Sequence, residues 1–96
     1  MNEFFESLGK RWRAAAHRRG ADIAEPELDP KIAEELLELA RVAAHTKERR
    51  FAPLASYMAG IAAERLRLSK GADADDIASL IREVREELER EAPSPP

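Results

Sequence analysis

Arg41, His45, Lys47, Arg49 and Arg50 fall within ten residues of one another, with Glu48 the only acid among them. Pro53 follows closely. A helix opening there would bring free backbone N–H groups and a positive dipole end to the same corner. Cations beside a helix amino terminus are the ingredients of an anion site. On that reading His45 serves as a general base or a ligand contact. The plainer reading keeps the ring partly covered, with one nitrogen on a carbonyl of the preceding helix end. The arginines then neutralise that end or meet the acids of residues 22–38. No second histidine or carboxylate stands at ligand spacing, and no glycine-rich loop is present to wrap a phosphate. The plainer reading is therefore the stronger one for His45. Arg41, His45, Arg49 and Arg50 are the candidate ligand- or partner-binding residues. The chain presents no catalytic constellation and no metal-ligand set, so a non-enzyme without a cofactor is expected.

A second basic stretch, KRWRAAAHRR over residues 10–19, carries Lys10, Arg11, Arg13, Arg18 and Arg19 with no acid. Trp12 lends it one aromatic. Such a run could bind nucleic acid or a membrane surface. The net charge of −3 and the absence of a recognition-helix pattern argue for a docking or dimer-packing helix instead. Seven acids crowd residues 22–38 against Lys31 alone. Opposite blocks of this kind more readily meet each other, or a second copy, than define a nucleic-acid surface.

The elements that must position these groups are helices. Phe4, Phe5, Leu8, Trp12 and Ala16 recur at helical spacing, and Gly20 is a natural stop. Gly9 costs that helix roughly 1 kcal/mol against alanine, so its middle should lean on tertiary packing. Asp29 and Pro30 mark the start of a second helix. Ile32, Leu36, Leu39 and Ala43 form one of its faces, and Ala33, Leu37, Ala40 and Ala44 the next, which predicts a wide buried arc. A third helix opens near Pro53. Leu54, Met58, Ile61 and Leu68 line one side of it, beside Ala55, Ala59, Ala62 and Leu66. Ser56, Gly60 and Ala63 add a small-residue strip. Gly71 suits a left-handed exit. Asp73 and Asp76 stand at capping-box spacing before a fourth helix with an Ile77, Leu80, Ile81, Val84, Leu88 seam. Its outer face offers Arg82–Glu86, Arg85–Glu89 and Glu86–Arg90 pairs at i, i+4. The expected architecture is an all-α compact bundle of four helices over about 2–19, 30–46, 53–69 and 74–91. It forms one domain over 1–92, with a flexible tail at 93–96.

Composition limits what such a bundle can bury. Leu, Ile, Val and Phe make up about a fifth of the chain, and eighteen alanines supply much of the other apolar content. Alanine favours helix but buries little area, so the core must come from close helix packing. A small alanine-rich core, with Phe4, Phe5 and Trp12 to cover, predicts a homodimer or other self-association. Cysteine is absent, which excludes disulfides and thiolate metal sites. Neither a membrane span nor a signal-peptide core is visible, so a cytoplasmic protein is the default.

The stretch LARVAAHTKERRFAPLASYMAGIA, residues 39–62, carries a pattern of its own. Leu39–Ala40–Arg41, Ala44–His45, Arg49, Pro53–Leu54, Tyr57 and Gly60 hold their separations across the corner. In this it resembles a family of small all-helical bacterial domains of unknown function, found alone or at the carboxyl end of molybdenum cofactor guanylyltransferases. Arg50 and Phe51 depart from the proline or small residues of that pattern. The resemblance implies association with molybdenum cofactor maturation, with such a guanylyltransferase as partner. It does not imply transferase activity, which needs a nucleotide-binding α/β domain larger than this chain. The function expected is a non-catalytic interaction or accessory module. The alternative is a small-anion or nucleotide-binding domain built on His45 and Arg49.

Overall fold

Helix termini in this protein are set by short-range hydrogen bonds, and they divide the chain cleanly. A computed structural model describes residues 2–91; the tail expected at 93–96 lies outside the described residues. Among the described residues there are four helices and no strand: α1 (Glu3–Arg18), α2 (Pro30–Thr46), α3 (Phe51–Lys70) and α4 (Ala74–Glu91). The all-α class is as expected. None of these helices is long and apolar enough to cross a membrane. The chain separates into two compact units, the first ending at Pro30 and the second starting at Lys31.

In the first unit, the Asn2 side chain accepts a hydrogen bond from the Phe5 N–H at 3.2 Å and caps α1. At the other end Gly20 takes a left-handed φ of 82°. The Gly20 N–H donates to His17 O, and the Ala21 N–H reaches back to Ala16 O, each at 2.9 Å. This is the paired closure that a glycine just past a helix end permits. Gly9 is buried because the return strand of chain crosses it. A β-carbon there would lie 2.5 Å from the Pro26 carbonyl oxygen. The tertiary packing expected to offset a mid-helix glycine is this close backbone approach. Phe4 and Trp12 of the α1 stripe stay exposed.

The second unit holds the main core. Leu39 of α2 meets Ile77 and Ile81 of α4, with Ile32, Leu36, Ala55, Ala59, Ala63 and Leu88 packed around them. α2 ends with the Thr46 hydroxyl donating to Val42 O at 2.7 Å and the Lys47 N–H to Ala43 O at 3.2 Å. α3 starts at Phe51, two residues before the expected Pro53. The N–H groups of Phe51 and Ala52 donate to Glu48 O and Arg49 O, so the preceding turn winds straight into the helix. Pro53 still lies in the first turn, where a missing N–H costs nothing. Gly71 closes α3 at φ 65°. Asp73 and Asp76 then cap α4 reciprocally. Asp73 Oδ1 accepts from the Asp76 N–H at 2.9 Å, and Asp76 Oδ2 from the Asp73 N–H at 3.1 Å.

Ion pairs tie α2 to α4. Lys31 meets Asp75 at 2.7 Å, Glu35 meets Arg82 at 3.1 Å and Arg85 at 3.3 Å, and Arg41 approaches Glu89 at 3.9 Å. Partners advance in the same direction along both helices, so α2 and α4 run parallel and α3 returns between them. Of the three i, i+4 pairs expected on α4, Arg85–Glu89 forms at 2.7 Å. Arg82 turns to Glu35 instead of Glu86.

One expected face is corrected, and the orientation of α3, which the sequence left open, is fixed. The buried arc of α2 is narrower than its two adjacent stripes suggest, because Leu37 is 72% exposed. More consequentially, Ala55, Ala59 and Ala63 of α3 face the core, while Leu54, Met58 and Leu68 are 61–71% exposed. The reason is volume. Leu39, Ile77 and Ile81 already fill the space beside α3, and an alanine face lets its backbone come close.

Candidate functional site

Burial separates the basic corner from the apolar surface nearby. Arg41 lies on the exposed edge of α2, where its guanidinium donates twice to Glu38, at 2.9 and 3.1 Å. Arg50 is exposed and pairs with Glu48 at 3.3 Å. His45 and Arg49 are exposed as well. Among the described residues, neither of their side chains makes a hydrogen bond or ion pair. The expectation that the His45 ring lies partly covered against a carbonyl is therefore overturned. Thr46 does the carbonyl capping there, because its short hydroxyl reaches one turn back without leaving the helix surface. The corner thus offers two committed arginines and, in His45, Lys47 and Arg49, three side chains without a hydrogen bond or ion pair among the described residues.

The residues the structure does bring together are apolar. An open groove of about 430 Å³ lies along α3 and α4, lined by Leu39, Ala59 and Ile81 and by Met58, Val84 and Leu88. A second hollow of about 590 Å³ continues it past Ile61, Arg65 and Leu66, sharing Met58, Ala62 and Leu80 with the first. Arg65 is the single charged group along this surface. Alanine accounts for the groove. Ala55, Ala59 and Ala62 bring the α3 backbone near but leave the space that larger residues would fill. Met58 and Val84 stand over the hollow and remain exposed. The sequence placed the apolar residues of this surface on helix faces. What it lacked was a sign that one wall of the seam opens to solvent.

Sequence reasoning also missed Glu35. This carboxylate is buried and takes hydrogen bonds from both Arg82 and Arg85. The bond to Glu89 holds the Arg85 guanidinium above its ordinary pKa, against the opposing effect of burial, with Glu35 adding to the rise. Arg85 Nε is buried without a partner. The signal was present in the spacing. Glu35 interrupts the apolar series three residues after Ile32 and four before Leu39, and Arg85 does the same between Ile81 and Leu88. A carboxylate and a guanidinium on two inward faces are more often partners than catalysts.

In the first unit, Lys10, Arg13, His17 and Arg18 share a hollow with Asp22 and Glu25 of the return segment. The basic run therefore faces part of the acidic block at close range, as the charge pattern suggested. No group of three or more histidine, cysteine, aspartate or glutamate side chains among the described residues is placed to hold a metal ion.

Curated proteins and solved structures yield no match to this chain. A family model described as a domain of unknown function, DUF6457, matches residues 6–95, which bears out the expected likeness to a small domain of unknown function. The chain belongs to the DUF6457 family.

Proposed function

We propose that this protein is a non-catalytic interaction module whose working surface is the apolar groove between α3 and α4. The observation that carries this reading is the orientation of α3, which presents Leu54, Met58 and Ile61 to solvent beside an open hollow. An apolar ridge next to an apolar groove is a surface made for another polypeptide, and small soluble domains seldom leave such patches uncovered. The likeness of residues 39–62 to domains found with molybdenum cofactor guanylyltransferases supports a cytoplasmic, accessory role beside such an enzyme. Affinity capture with the full chain tests both parts. A guanylyltransferase retained by the wild type and lost with Met58→Glu supports the reading. Retention that Met58→Glu leaves unchanged moves the working surface elsewhere, and retention of no cofactor-pathway protein removes the molybdenum part.

A second reading rests on His45 and Arg49, which with Lys47 are the uncommitted side chains of the basic corner. They favour a small-anion or nucleotide site, completed by Arg41 and Arg50 if those release Glu38 and Glu48. Calorimetric titration with phosphate and GTP decides it. Heat that disappears in Arg49→Ala sustains this reading, and no heat at millimolar ligand ends it.

A further inference from the structure

From the shape and charge of this surface we infer that a second copy of the chain covers the α3–α4 groove. The two copies are related by a two-fold axis that sets α3 of each against α4 of the other. The inference rests on the reading of this face as an interaction surface, and it names the occupant.

The core points outward for completion. No large side chain of the described residues is fully buried, and Ile81, among the best covered, lines the open groove. Covering Met58 and Val84, both exposed in the single chain, would remove apolar surface from water and so favour association. An isologous contact requires a surface that is complementary to itself. Both halves of such a contact are present: Leu54 and Met58 project 61% and 71% exposed at the border of the hollow, so the border of one copy can be seated in the hollow of the other.

Charge selects the pairing. Arg65, on the groove side of α3, is exposed and has no ion-pair partner among the described residues. Glu83 and Glu87 of α4 are likewise exposed and unpaired. They follow Leu80 and Val84 by three residues each, which places them along the outer edge of the groove wall. α3 against α3 would bring Arg65 to Arg65, and α4 against α4 would face carboxylates with carboxylates. Only α3 against the partner's α4 joins cation to anion, and the two-fold axis makes that contact twice. Opposite charges at the rim of an apolar patch chiefly fix register and exclude wrong pairings.

Sedimentation equilibrium and light scattering on the full chain at tens of micromolar test the inference. The wild type should have twice the 10.8 kDa mass of one chain. Met58→Glu should be monomeric with unchanged helical circular dichroism, since Met58 is exposed in the single chain. Arg65→Glu should weaken association by about tenfold or more. Adding Glu83→Arg and Glu87→Arg to that variant should restore it, because the charges are then exchanged across the interface. A monomeric wild type overturns the second copy as occupant. It leaves the interaction reading open to the capture experiment. A dimer indifferent to both Met58→Glu and Arg65→Glu also overturns the inference, by placing self-association on another face.

Discussion

α3 is much the more apolar of the last two helices, yet α4 is the one that buries its large residues. α4 turns its isoleucines inward, with Ile77 and Ile81 buried, and presents charge to solvent. α3 turns alanines inward and leaves Leu54, Leu68 and Met58 outside. The same periodicity therefore marks the core on one helix and an open surface on the other. A helix with apolar residues at three-fifths of its positions has two usable faces, and the neighbours decide between them. Where α2 and α4 already supply bulk, the helix between them is best accommodated by its thinnest face. The larger side chains are then displaced toward solvent or toward a partner.

Truncation should read this difference directly. Ile81→Ala removes a side chain only 3% exposed and should cost about 2–4 kcal/mol. Leu68→Ala removes an apolar group of the same size that is 71% exposed and should cost under about 0.5 kcal/mol. Urea denaturation of both variants measures the gap, and equal losses would break the comparison.

Enlarging the inward face of α3 sharpens it. Ala63 packs against the Leu39–Ile77–Ile81 cluster, so Ala63→Leu should destabilise by about 2 kcal/mol through overpacking. A neutral or stabilising result would mean that α3 can rotate to bury its leucines. That alternative is visible as protection of Met58 from oxidation.

Between α2 and α4 the contact is partly ionic. Glu35→Ala leaves Arg82 and Arg85 without their shared acceptor. Arg82 is half-exposed and can rehydrate, which limits the loss to about 1–2 kcal/mol. Glu35→Leu should recover part of it by replacing the charge with apolar volume. If it recovers nothing, the pair also serves to hold the two helices in register.

The smallest effect is expected at the corner. His45→Ala should change stability by under about 0.5 kcal/mol, since the ring is exposed and makes no hydrogen bond among the described residues. A loss of more than about 1 kcal/mol in thermal or urea unfolding would restore the buried-ring reading and reduce the contrast between the helix end and the core.

The amino-acid sequence by itself determined where most helices begin and end. Asp73 and Asp76, Pro30, Gly20 and Gly71 mark termini because capping bonds and left-handed exits join residues only a few positions apart. No distant part of the chain is needed to make them. The start of α3 was displaced by two residues because the corner turn winds directly into the helix through backbone bonds that any side chain allows. Gly9 announced a need for packing, but only the fold showed that Pro26 meets it. Tertiary structure alone decided which face of α3 lies inside, that Leu37 is outside, and that Glu35 and Arg85 are partners. It also decided that the candidate site is an apolar groove, with the basic corner left at the surface. These outcomes depend on how much volume two other helices bring to the same space. A helical period records that a residue lies on a face; it does not record what stands opposite.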